Sequence, residues 1–179
     1  ATSSIYKVST SGQSEKWLDD AMYRGISLSP DGNYVMVTKI NKPFSYLVTY
    51  SRFPSITDIY SKDGDFVANI LNTPLIEELP KGFMSTNKGK RSYSWRSDKA
   101  STLIYVEALD GGDPANKVDH RDEVFELEEP FNGEGRSLIK TINRYAGIDW
   151  GNDNLAIAYD RWWNTRNTKA YAFNPSDNG

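Results

Sequence analysis

Three times along this 179-residue chain a tight turn built on an Asp is bracketed by short runs of β-forming residues. That recurrence limits the fold to repeated antiparallel hairpins. The first copy runs from Ile26 to Val37 through Ser29-Pro-Asp-Gly32. Pro30 presets φ for the turn, Asp31-Gly32 supplies a residue that tolerates positive φ, and the flanks alternate apolar and polar. The second copy joins Tyr93–Asp98 to Thr102–Glu107, and the third runs from Ala146 to Tyr159. Asp31, Asp98 and Asp153 mark the turns, 67 and 55 residues apart.

Further hairpins lie between the copies. Ile56–Ser61 and Phe66–Leu71 flank Lys62-Asp-Gly-Asp65, and Val124–Leu127 and Leu138–Ile142 flank Pro130–Gly135. Ile5–Val8 and Glu15–Leu18 surround Ser11-Gly12, and Lys169–Phe173 precedes Asn174-Pro175. The tally is a hairpin, two four-strand groups and about three strands of another. Four antiparallel strands per repeat is the blade of a β-propeller. The expected fold is therefore all-β: a partial β-propeller of about three four-stranded antiparallel blades. Residues 1–20 end a preceding blade, 21–72 and 90–143 are blades, and 144–179 is an incomplete one. The repeat exceeds the roughly 40–45 residues of a simple WD-type blade, so insertions are expected. The one helical candidate, Leu75–Leu79, is short and stops at Pro80. Three blades fall below the usual four, so the chain is expected to be a piece of a larger propeller whose exposed edges favour self-association.

Composition narrows the function classes. Aromatics reach 13%, which suits many short strands rather than a disordered tail. The absence of cysteine removes thiol catalysis, zinc–cysteine sites and disulfides. A net charge of −3 argues against a nucleic-acid partner. The nearest basic cluster, Lys88, Lys90 and Arg91, reads as a solvated loop. No run approaches the ~20 apolar residues of a membrane span, and no membrane partner is expected. No charged and then apolar leader opens the chain.

Catalytic signatures are missing. No Gly-x-Ser-x-Gly elbow occurs, and the single histidine, His120, sits in a loop beside Asp119 and Asp122. Asp110, Asp113, Asp119 and Asp122 with Gly111 and Gly112 resemble a calcium loop, but the spacing is not that of an EF-hand. No phosphate-cradling Gly-rich loop precedes a helix, so no metal and no cofactor is expected.

Three longer connections stand out: 41–54, 108–121 and 161–167. Each follows the second strand of its blade, so all three are expected on one face, where they gather Arg, Trp and Tyr. That composition suits recognition; the competing reading packs the aromatics between blades.

These stretches also carry a family resemblance. Ser29-Pro-Asp-Gly32, Pro43–Val48 with Tyr50–Pro54, Glu107-Ala-Leu-Asp-Gly-Gly-Asp-Pro114 and Asp160-Arg-Trp-Trp-Asn-Thr-Arg166 resemble the propeller of glutamyl endopeptidases of the prolyl oligopeptidase family. The likeness runs from about residue 26 to 170. It implies a larger serine peptidase in which the propeller covers an α/β-hydrolase domain that this chain lacks. The chain alone is then not an enzyme. Its partners are a peptide substrate and that missing domain, and its role is to gate the active site and help select substrate. Cleavage after Glu needs a cationic pocket, and guanidinium suits a carboxylate. Arg52, Arg121, Arg161 and Arg166 are the substrate-binding candidates by location, with Arg24 and Arg96 second; each could instead form a structural ion pair. The resemblance implies a plastid for a plant member and a periplasmic or secreted location for a bacterial one. The bacterial location is the one expected. The alternative reading is a stand-alone propeller module binding proteins or peptides, which would need no catalytic partner domain.

Overall fold

A computed structural model describes residues 1–177. Among them are thirteen strands, all paired antiparallel, and a single 3-10 turn, Tyr50–Arg52. The chain divides into two compact units. The first holds Ala1–Glu77 and Pro130–Asn132; the second takes Glu78–Glu129 and the chain from Gly133 onward.

In the first unit, β1 (Ser3–Val8) and β2 (Ser14–Ala21) form a hairpin. β3 (Tyr23–Leu28), β4 (Tyr34–Ile40), β5 (Ser55–Ser61) and β6 (Phe66–Thr73) follow as an up-and-down sheet in chain order. The β3–β4 turn forms as its residues dictate. Gly32 takes φ +72°, and Asp31 accepts bonds from the Ser29 hydroxyl and the Asn33 amide. Its carboxyl is held below the ordinary range, chiefly by the Ser29 hydroxyl. Val35, Val37 and Tyr60 are buried, and Ile5, Trp17, Leu18 and Tyr23 pack against them. The hairpin thus lays its apolar side on the four-stranded sheet, as neighbouring β layers must to bury one face.

The second unit repeats this plan. β7 (Arg91–Trp95), β8 (Leu103–Ala108), β9 (Asp122–Leu127) and β10 (Arg136–Thr141) form a four-stranded meander. β11 (Arg144–Asn152), β12 (Leu155–Trp162) and β13 (Asn167–Phe173) form a three-stranded one. Leu103-Ile-Tyr-Val106 is an unbroken apolar run rather than an alternating one, and all four residues are buried. A strand covered on both faces has this pattern. Ile104, Val106, Val124 and Leu138 meet Tyr145, Ile148, Trp150 and Phe173 from the three-stranded sheet.

The first strand of each of these three sheets carries a register shift, at Tyr23/Gly25, Arg91/Ser94 and Tyr145/Gly147. Gly25, Ser92 and Gly147 each precede the turn aspartate by six residues. Gly147 lies at φ +153° and Ser92 at +55°. The internal repeat therefore extends to the backbone irregularity, which re-aims the start of each strand.

The all-β expectation holds, with two four-stranded sheets, one three-stranded sheet and a hairpin. Leu75–Leu79 is not helical. The basic run at 88–91 is not a solvated loop throughout. Arg91 begins β7, and its guanidinium reaches a fully buried Asp122. Lys90 lies 4.7 Å from the Tyr105 ring centroid. The sequence reading failed there because the buried acid that recruits Arg91 is 31 residues away. Residues 178 and 179, the end of the 144–179 segment, lie outside the described residues.

Candidate functional site

The string Ala108-Leu-Asp-Gly-Gly-Asp-Pro114 builds the base of a site in the second unit. Gly111 and Gly112 adopt φ +69° and +81°, a region that glycine enters without steric cost. This turn aims the Asp110 carboxylate inward, where it accepts the Gly112 amide at 2.9 Å. Arg121 and Arg144 donate to the same carboxylate at 2.8 and 2.7 Å. Gly112 has a second duty. A Cβ there would stand 2.1 Å from the Thr86 carbonyl oxygen, while the Thr86 amide donates to the Gly112 carbonyl at 3.0 Å. The 109–121 connection is thereby tied to the segment that precedes β7.

Arg144 is the hub. It is 5% exposed. Besides Asp110 it bonds Asp122 at 3.0 Å, the Met84 carbonyl at 2.8 Å and the Arg121 carbonyl at 3.2 Å. Asp122, fully buried, also accepts Arg91 at 2.6 Å and the Tyr145 amide at 2.8 Å. Three guanidiniums thus share two buried carboxylates. Buried charges persist only when paired and hydrogen-bonded in this manner.

The acidic residues of this connection are engaged within the chain. Asp110 and Asp122 spend their lone pairs on guanidinium and amide donors, Asp113 caps the Ala115 amide, and Asp119 is exposed. Among the described residues no three acidic or histidine side chains gather as a metal site.

The second family string, Asp160-Arg-Trp-Trp-Asn-Thr-Arg166, closes β12 onto β13. Asp160 points inward and accepts the Asn143 amide, the Asn143 side chain and the Tyr171 hydroxyl. Burial, then this bond to Asp160, pushes the Tyr171 phenol up to about 12. Strand alternation turns the next residue, Arg161, outward. It is exposed and has no side-chain hydrogen bond or ion pair among the described residues. Arg121 lies 4.0 Å from the Trp162 centroid while bound to Asp110. Arg166 sits at φ +58° with its guanidinium 3.6 Å from the Trp163 centroid. Phe83 stacks on the same indole at 4.8 Å and 29°.

The four predicted arginines therefore differ. Arg121, Arg161 and Arg166 all belong to the second unit, where Arg121 is committed to Asp110 and the other two carry no carboxylate. Arg52 belongs to the first unit. It is half-buried at the end of the 3-10 turn, without a side-chain ion pair. Arg24 reaches the same turn, donating to the Ser51 carbonyl at 3.3 Å. Arg96 is 1% exposed, ion-paired to Asp98 and Glu126, and 4.1 Å from the Trp150 centroid. Burial raises the Asp98 pKa, but the Arg96 hydrogen bond and charge outweigh it and hold the carboxyl below its ordinary value. Arg136 completes this second network through Glu126. His120 is exposed in its loop. Arg91, Arg136 and Arg144 escaped sequence reasoning because their partners lie 10 to 34 residues away. Arginine at the first position of a strand was the only local signal.

Two curated plant proteins match this chain along almost all of its length. A probable chloroplastic glutamyl endopeptidase of Oryza sativa subsp. japonica is 38% identical over 177 residues, covering 98% of this chain. Its counterpart by name in Arabidopsis thaliana is 36% identical over 180 residues, covering 99%. The chain spans about 19% of the length of each. No family model matches, and neither does any solved structure. The chain is thus related to a segment of proteins named as peptidases. The relatives also overturn the expected bacterial periplasmic or secreted location, because both are chloroplastic plant proteins. Cysteine-free composition carries no address, so nothing in the residues could have decided the compartment.

Proposed function

We propose that this chain is a non-catalytic β-propeller segment of a larger serine peptidase of the glutamyl endopeptidase kind. It gates the active site and contributes to substrate selection. The observation that carries the reading is the similarity, along nearly the entire chain, to about a fifth of two proteins named glutamyl endopeptidase. Residues 21–72 and 90–143 serve as complete blades, 1–20 and 144–179 as parts of others, and an α/β-hydrolase domain elsewhere in the longer protein supplies the nucleophile. Guanidinium groups without an internal carboxylate can receive an acidic side chain of a substrate, since they stay charged and bind it bidentately. Arg52, Arg161 and Arg166 are such groups. Arg121 contributes by holding its connection in shape.

The test joins the chain to its flanking sequence and measures cleavage of peptides with Glu, Asp, Gln or Pro before the scissile bond. Cleavage after Glu, with Arg52→Ala, Arg161→Ala or Arg166→Ala lowering kcat/KM for Glu but not for Gln, is the expected result. If no peptide is cut, the peptidase reading falls and a stand-alone binding module takes its place.

A further inference from the structure

Four dipeptides among the described residues place glycine directly after an aspartate or asparagine: Asp31-Gly32, Asp63-Gly64, Asp110-Gly111 and Asn132-Gly133. The side-chain carbonyl carbon of such a pair is within reach of the next backbone nitrogen, whose attack closes a five-membered cyclic imide. Glycine hinders that closure least, because it has no Cβ. The attacking nitrogen must first give up its proton, so an N–H that is hydrogen-bonded is protected. Three of the four pairs are protected in this way. The Gly32 amide donates to the Ser29 carbonyl at 2.9 Å, Gly64 to Ser61 at 3.0 Å and Gly111 to Ala108 at 3.3 Å. Their carboxylates are held as well: Asp31 by Ser29 and Asn33, Asp63 by Lys7, and Asp110 by Arg121 and Arg144. An ionised carboxylate is also a poorer electrophile than a neutral carboxamide.

Asn132-Gly133 has neither protection. It lies in the connection between β9 and β10, and both residues are exposed. Among the described residues the Gly133 amide donates no hydrogen bond, and the Asn132 carboxamide makes none. Gly133 sits at φ +84°, and no atom beyond its chain neighbours lies within 4 Å of the place a Cβ would take. Ring closure therefore meets no obstacle. The residue before the pair is fixed: Phe131 is 2% exposed, and its ring meets Tyr34 edge to face at 5.1 Å.

We infer that Asn132 is a spontaneous modification site, deamidating through Gly133 to aspartate and isoaspartate. The Gly133 nitrogen bonds to Cγ of Asn132, the Cγ–Nδ2 bond breaks, and ammonia leaves with the proton that the nitrogen gave up. Water then adds to one of the two imide carbonyls. Opening at Cγ gives aspartate. Opening at the backbone carbonyl gives isoaspartate, in which the main chain runs through the former side chain and is one methylene longer. One water enters and one ammonia leaves, with no oxidant and no cofactor. The new carboxylate joins Glu129 and Glu134 in the same connection. The lengthened backbone begins directly after Phe131, which already sits at φ +62°. No enzyme takes part, so the reaction is independent of the peptidase reading.

The experiment incubates the 179-residue chain in mildly alkaline buffer and follows its proteolytic peptides by mass over days. A purified isoaspartyl carboxyl methyltransferase with labelled S-adenosylmethionine counts the isoaspartate formed. The expected result is a gain of about 1 Da on the peptide that holds Asn132. Chromatography should split that product in two, and one of the two should accept methyl groups. The rate should lie within about tenfold of that of the free peptide Ac-Pro-Phe-Asn-Gly-Glu-NH2, since a tip with no opening cost reacts as an unfolded chain does. Asn132→Gln should abolish the signal, because glutamine would have to close a less favourable six-membered ring. The peptides of Asp31, Asp63 and Asp110 should accept methyl groups only after incubation in urea. Asn178 also precedes glycine, and peptide mapping keeps its signal apart. A native rate below that tenfold bound overturns the inference. So does methyl acceptance at Asp31, Asp63 or Asp110 in the native chain equal to that at Asn132, or a signal that survives Asn132→Gln.

Discussion

Replacing Arg144 by alanine should destabilise the second unit more than any other single arginine change. The side chain is 5% exposed. Its loss removes bonds to Asp110 and Asp122 and to the carbonyls of Met84 and Arg121. Removing one partner of a buried pair typically costs about 3–5 kcal/mol, because a charge is left without compensation. Here the compensation loss is partial. Asp110 keeps Arg121 and the Gly112 amide, and Asp122 keeps Arg91 and the Tyr145 amide. The lower end, about 3 kcal/mol, is therefore expected. That corresponds to a roughly hundredfold fall in the folding equilibrium constant. Urea unfolding followed by tryptophan emission reads it directly. Arg121→Ala removes one bond from a carboxylate that retains Arg144, and should cost about 1 kcal/mol. Combining Arg144→Ala with Asp122→Asn should cost less than the sum of the single changes by about 1 kcal/mol or more, since both disrupt one network. A loss below about 1 kcal/mol for Arg144→Ala, or strict additivity in the double variant, would refute the view of Arg144 as the charge hub.

Other consequences can be checked on the same chain. Gly112→Ala places a methyl group 2.1 Å from the Thr86 oxygen at φ +81°, so unfolding should occur at markedly lower urea, by more than about 2 kcal/mol. Ser92→Gly relieves a φ of +55° at an exposed bulge and should stabilise by about 0.5–1 kcal/mol in the same assay. Spectrophotometric titration should find Tyr93, Tyr145 and Tyr171 ionising last, Tyr93 and Tyr145 raised by burial and Tyr171 by burial and then by Asp160, the latter two near 12. Their folded-state pKa values lie above the ordinary 10, so the native state holds those protons longer. Their stability contribution is complete below pH 10 and is lost as pH rises through those folded-state values. Tyr171→Phe should remove one late-titrating phenol.

The hairpins were legible because their determinants are local. Ser29-Pro-Asp-Gly32 and Lys62-Asp-Gly-Asp65 fix their turns within four residues, and period-two alternation identifies the strands beside them. The likeness strings could be recognised, but their physical content could not. Asp110 and Asp160 are invisible as anchors until the chain brings Arg144 and Asn143 to them. For the same reason sequence placed Arg121 and Arg161 together as candidates. Only the structure separates the one committed to Asp110 from the one left open. Phe83 went unnoticed, because nothing near it in sequence announces Trp163 as its stacking partner.

The connections after the second strand of each sheet span residues 41–54, 109–121 and 163–166. Yet the ladders they join are equally regular. β4–β5 and β12–β13 each run through seven consecutive pairs without a shift. Connection length is therefore decoupled from strand register, and closure entropy adds only about 0.6 kcal/mol per doubling of length. These sheets behave as cassettes. A four-residue tip can be exchanged for a fourteen-residue one while the ladder beneath keeps its alignment, so new contact surfaces can arise by insertion at this end without redesigning the core.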